Sequence, residues 1–284
     1  MRILTVFWLF IAVMACRVEA AEPVLPADCI FHASFDASAD ADLAKGDGKI
    51  RTAESLKREH VKSGLQTDAV RWTKTGGKTG GALQFLRKTD ELVFFTGGKN
   101  VPYRDNQFQG TVSLWMKLSP KEDLPKGYVD PLQITDKKWN DSSFFVDFDQ
   151  AESRDFRLGV FSDFAVWNPK NRKFDDIPVK ERPMVVVKDP PFSRDRWTHV
   201  AFTWNDFNQY RKVDSTSAAK LYLNGELQGT IDGRQRFTWT PEKAVIMLGI
   251  NYVGWMDEVS IYGRALSAKE VQRLAKVGES ATTK

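Results

Sequence analysis

Cysteine is scarce in this 284-residue chain, which holds only Cys16 and Cys29. That count excludes a disulfide-stapled fold. Histidine is nearly as rare, with His32, His60 and His199 alone. No Gly-x-Ser-x-Gly elbow accompanies them, so nothing points to a nucleophilic triad. An EF-hand is excluded because Ala44 stands where the third ligand of a loop beginning Asp40-x-Asp42 would fall. Lys and Arg total 41 against 37 Asp and Glu, a net charge of +4, and the basic residues are dispersed. The concentrated basic stripe of a nucleic-acid binder is missing. Beyond the first residues no apolar run reaches the roughly 20 residues of a membrane span, so no transmembrane segment is expected.

What is present begins with a leader. Arg2 precedes an almost unbroken apolar run, Ile3–Ala15, and Val18-Glu19-Ala20 offers small residues where a signal peptidase reads. This pattern predicts a signal peptide over 1–20 and a secreted chain, extracellular or periplasmic. A Pro-containing leader over 21–28, one domain over 29–277 and a tail over 278–284 follow. Val13-Met14-Ala15-Cys16 gives an alternative, a lipid anchor through Cys16, although Met14 fits a lipobox poorly. Ordinary cleavage leaves Cys29 alone at the head of an apolar strand, where it reads as a buried, inert thiol.

Short strand patterns separated by turn residues fill the rest. In Thr111–Leu118, Val112, Leu114, Met116 and Leu118 share one face. Further strands are expected at Cys29–Phe35, Ala82–Leu86, Glu91–Phe95, Ser143–Asp149, Phe156–Ser162, Arg196–Trp204 and Trp255–Tyr262, among others. Asn224-Gly225 lies between two such runs and predicts a type I′ hairpin. Only the end reads as helix, where Ser267 and Glu270 form a capping box ahead of Val271, Leu274 and Ala275. Many strands with one late helix predict an all-β fold, a two-sheet antiparallel jelly-roll sandwich with a short C-terminal helix.

The motifs Gly80-Gly81-Ala82-Leu83-Gln84-Phe85, Gly110–Met116, Trp197–Ala201 and Leu221–Gly225 occur in order. The chain then closes with Gly254-Trp255-Met256-Asp257-Glu258-Val259-Ser260-Ile261-Tyr262 and Arg264-Ala265-Leu266-Ser267. In order and spacing this resembles the laminin-G-like jelly rolls of the concanavalin A-like lectin/glucanase superfamily. The resemblance implies two packed sheets with a concave face. It implies no single function, since relatives include sugar-binding modules, adhesion domains and glycosidases.

The catalytic strand of glucanases on this fold is Glu-x-Asp-x-(x)-Glu, and no Glu here is followed by Asp two residues on. Asp147, Asp149 and Glu152 are the near miss, so no catalytic residue is assigned. Several jelly rolls of the superfamily carry calcium near the chain ends. Asp36 and Asp257 are the expected metal ligands, since antiparallel first and last strands would bring these hard oxygen donors together. Sugar binding needs a flat ring and amides or carboxylates. The loop clusters Trp139-Asn140-Asp141 and Trp167-Asn168 supply both, with Tyr103, Trp239 and Tyr252 behind them. Trp115, Trp197 and Trp204 are placed in the core. The expected function is a secreted, non-catalytic lectin-like module binding carbohydrate or a glycosylated protein. A protein-binding adhesion domain and a degenerate glycoside hydrolase are the alternatives.

Overall fold

The computed structural model describes residues 27–209 and 217–276. The predicted signal peptide, the Cys16 anchor and the tail lie outside them. In chain order the strands are β1 (Cys29–Ala33), β2 (Leu43–Ala44), β3 (Arg51–Ala53), β4 (Val61–Ser63), β5 (Val70–Thr73), β6 (Ala82–Phe85), β7 (Leu92–Thr96) and β8 (Phe108–Lys117). Next come β9 (Val129–Thr135), β10 (Ser143–Phe148), β11 (Phe156–Phe161), β12 (Met184–Val187) and β13 (Thr198–Phe207). The last are β14 (Ala218–Leu223), β15 (Glu226–Asp232), β16 (Val245–Ile250) and β17 (Gly254–Tyr262). Helices α1 (Pro120–Asp123) and α2 (Phe164–Trp167) are single turns, and α3 (Ala268–Lys276) follows the last strand. No helix among the described residues is long and apolar enough to cross a membrane.

All pairings are antiparallel, in two sheets. The first runs β15-β14-β13-β8-β17-β1-β2, with β6 also on β17 and β5 on β6. The second runs β12-β11-β10-β9-β16-β7-β3-β4. This is the expected sandwich. Alternation decides which side chains meet between the sheets. Val112, Leu114 and Met116 of β8 and Val200, Phe202 and Trp204 of β13 face Phe144, Val146 and Phe148 of β10 and Leu158 of β11, all buried. Much of the aromatic content is spent here. Phe144 stacks on Phe237 at 4.6 Å and lies 4.7 Å from Trp204, with Phe108, Phe207 and Trp239 around them. Tyr103, stacked on Trp239, and Tyr252, almost fully buried, belong to this core as well.

Two expected core residues lie elsewhere. Trp115 is buried on the outer face of the first sheet, packed on His199 with the Lys78 ammonium over its ring. Trp197 precedes β13 and is half-buried, and Lys117 sits over both it and Trp255. Period-2 alternation puts Trp115 and Lys117 opposite Leu114 and Met116, so their outward position follows from the strand itself. The Asn224-Gly225 turn is as expected, with φ of +50° and +81°. So is the capping box: Ser267 N–H donates to Glu270 at 2.8 Å and Glu270 N–H to Ser267 Oγ at 3.4 Å.

Candidate functional site

Asp36 and Asp257 do converge, at a fork in the first sheet. The start of β17 pairs with β6 (Met256 opposite Leu83), and its end pairs with β1 (Val259 opposite Ala33). Between the two lies a bulge, with Glu258 at φ +53°. The bulge aims the Asp257 carboxylate at the turn before β6. It accepts the N–H groups of Lys78 at 2.6 Å and Thr79 at 3.3 Å, and of Glu258 at 2.8 Å. Asp36 accepts Gly81 N–H at 2.9 Å. A Cβ at Gly80, where φ is +52°, would overlap the Asp36 carboxylate. Burial, with the Glu258 charge adding to it, pushes Asp257 up to about 8 against the pull of its three amide donors. Asp257 thus accepts three backbone donors through its two oxygens, while Asp36 accepts one through Oδ1. Among the described residues no three His, Cys, Asp or Glu side chains are grouped to hold a metal. His32 completes the cluster, with Nδ1 2.8 Å from Ser260 Oγ and Nε2 3.4 Å from Glu258.

A second arrangement occupies the outer face of the second sheet, where a cavity of about 510 Å³ opens. Its floor comes from the residues that alternate with the core set: Phe145 and Asp147 of β10, Arg157 of β11, and Asp130 and Gln133 of β9. Phe145 lies opposite Gly159, and a Cβ there would overlap its ring, so the glycine is what lets the ring lie over the sheet. Asp147 and Arg157 are register partners and bond bidentately, Nε to Oδ1 at 2.9 Å and a second contact to Oδ2. Both are buried. The Arg157 guanidinium lies 5.0 Å from the Tyr128 ring, which is 38% exposed. Pro131, which has no N–H to give the ladder, sits beside the β9–β10 register shift at Val146/Phe148. Asp130 flanks this irregularity. Burial and then the Asp147 charge push it well above the usual carboxylate range, with Arg157 opposing.

One wall is the β9–β10 loop. Trp139 stands on it, 40% exposed, with Phe145, Phe161 and Phe174 set edge-on around its ring. The other four sequence candidates hold this loop and its neighbour in place. Asn140 C=O accepts Trp167 Nε1–H at 2.8 Å, and Asp141 accepts Phe164 N–H at 2.9 Å. Asn168 is buried and bonds both the N–H and the C=O of Arg172. Of the five, Trp139 alone lines the cavity. Tyr128, Asp130, Gln133 and Arg157 were not found from sequence. The Asp147–Arg157 pair follows from the hairpin register, in which Phe148 lies opposite Phe156 and Asp147 opposite Arg157. Of the near-miss carboxylates, Asp147 lines the floor, Asp149 accepts Ala151 N–H at 3.1 Å, and Glu152 is exposed.

Residues 95–272 match the sequence profile of the concanavalin A-like lectin/glucanases superfamily. The chain belongs to this superfamily. No curated protein matches it in sequence. Among solved structures it is similar to domain 4 of AbnA, a GH43 extracellular arabinanase from Geobacillus stearothermophilus, in complex with arabinotriose. Identity is 20% and the TM-score 0.52, over 87% of this chain and 99% of that one. It is also similar to the botulinum neurotoxin serotype G binding domain, at 15% identity and a TM-score of 0.55 over 89% of this chain and 52% of that one. A third likeness is the binding domain of botulinum neurotoxin DC in complex with rat synaptotagmin II. There identity is 11% and the TM-score 0.50, over 88% and 52%. The chain spans about half the length of the neurotoxin binding domains. At these identities the likenesses are likenesses of fold.

Proposed function

We propose that this chain is a secreted carbohydrate-binding module whose ligand lies in the cavity on the second sheet. The observation that carries the reading is Trp139: a large, 40% exposed ring held at the rim of a cavity with hydrogen-bonding groups on its floor. A sugar's C–H face packs on such a ring. Asp130, Gln133 and the Asp147–Arg157 pair offer donors and acceptors to its hydroxyls. The cavity falls within the roughly 300–1,000 Å³ of small-ligand sites. The arabinotriose complex of the AbnA domain supports the reading by analogy of fold. Asp147 reads as a positioning group because Arg157 occupies both its oxygens.

The test is titration of the full chain with a glycan panel, by calorimetry. Trp139→Ala is expected to lower affinity at least tenfold while leaving the melting temperature near wild type. Unchanged affinity would overturn the site. Capture of unglycosylated protein partners in place of glycans would favour the adhesion alternative. Release of reducing sugar, lost in Asp130→Asn, would favour a hydrolase.

Calcium belongs to the proposal in a narrower form. If it binds at the fork it must displace amide donors from Asp257 or use the remaining oxygen of Asp36. A calcium-dependent rise in melting temperature that the Asp36→Asn/Asp257→Asn variant loses would establish it. Identical melting in calcium and in chelator would remove it.

A further inference from the structure

The charges around the cavity do not cancel. Asp147 and Arg157 neutralise each other. Lys137 lies 3.8 Å from Asp141 and 3.6 Å from Asp163 and bonds Thr238 Oγ1 at 3.1 Å, so its charge is met. Asp130 is pushed toward its neutral form. Asp175 is an exposed carboxylate that also lines the cavity and offsets part of the remaining positive charge. Two cations remain, Arg58 and Lys138.

Arg58 is the informative one. It sits on the loop joining β3 to β4, its backbone in the left-handed region at φ +57° and its N–H bonded to Ser55 C=O at 3.1 Å. Its side chain is half-buried and lines the cavity. Among the described residues no hydrogen bond or ion pair reaches the guanidinium. Burial lowers its pKa, and no neighbouring carboxylate raises it. Taking a cation partly out of water costs free energy unless an anion or acceptor meets it. Among the described residues none does, and the group faces the ligand space.

Resting on the carbohydrate-binding reading above, we propose that the ligand is an anionic saccharide whose carboxylate or sulfate is bound by Arg58, with Lys138 adding a second positive charge and Trp139 stacking on the ring that carries the anion. The planar guanidinium fork matches either oxyanion bidentately, which an ammonium does not. Tyr128 and the neutralised Asp147–Arg157 floor then face the uncharged part of the sugar.

The experiment uses a panel in which every acidic oligosaccharide is paired with its neutral counterpart: uronic-acid oligomers with their carboxyl-reduced forms, and sulfated galactan oligomers with their desulfated forms. The wild-type chain is expected to bind one acidic series at least tenfold more tightly than its neutral partner, and the series that does so tells carboxylate from sulfate. Arg58→Gln should abolish that preference at an unchanged melting temperature, Arg58→Lys should keep part of it, and Lys138→Gln should reduce it. Trp139→Ala should weaken acidic and neutral forms alike. Equal affinity for paired forms, or a preference that survives Arg58→Gln, would overturn this proposal and leave the carbohydrate-binding reading intact. No binding to any member of the panel would overturn both.

Discussion

The Asp147–Arg157 pair shows how a single contact shapes both stability and the site. Two opposite charges are buried side by side on adjacent strands, each with under a tenth of its surface exposed. Removing one leaves the other buried and unpaired. Arg157→Leu is therefore expected to cost about 3–5 kcal/mol, while the Asp147→Leu/Arg157→Leu double variant recovers most of the loss. Urea unfolding of Arg157→Leu, Asp147→Leu and the double variant measures this. Full additivity of the two single losses would mean that the pair does not act as a unit. From sequence, Asp147 stood out only as a broken catalytic motif. Its partner ten residues on became visible once the hairpin register was known. Asp130 and Arg58 were unreadable for the same reason: what singles them out is burial against residues distant in sequence, which is not local to the chain. Trp139 was legible because an aromatic between polar turn residues has no strand face to hide in.

At the scale of elements, α3 depends on a charged cluster at its start. Arg264 bonds Glu270 through both terminal nitrogens and Asp28 through Nε, and Glu270 also accepts from Ser267. These partners, Arg264 foremost, hold Glu270 down at about 2. A carboxylate whose folded pKa is depressed contributes stability above its ordinary value near 4.5, and that contribution fades as the pH falls toward 2. Wild-type stability is expected to drop across that window by more than that of Glu270→Gln, measured by chemical unfolding at stepped pH. Parallel curves would assign the acid loss to other groups. The capping box and the Asn-Gly hairpin were readable because their chemistry sits within a few residues. Strands β2 to β5 were not. They are two to four residues long, too short to show alternation, and they form because β1, β7 and β6 offer them edges.

For the molecule as a whole, the inter-sheet aromatic cluster carries more of the stability than the outer faces do. Trp204→Ala is expected to cost about 3–5 kcal/mol, whereas Trp197→Ala, whose ring is half-exposed under Lys117, should cost markedly less. Equal losses in guanidinium unfolding would show that the outer ladder of Trp197, Lys117 and Trp255 is as important as the core. The fork around Asp257 has a consequence for biogenesis. β17 lies between β8 and β1 and also anchors β6, so the first sheet has no continuous centre until the last strand arrives. His32 meets Ser260, 228 positions further along the chain. A ribosome or translocation pore that has released only the first two hundred residues holds a chain whose N-terminal strand has β2 on one side but still lacks β17 on the other. Completion of this sheet is therefore expected to wait for β17, because its closing contacts join the two ends of the domain.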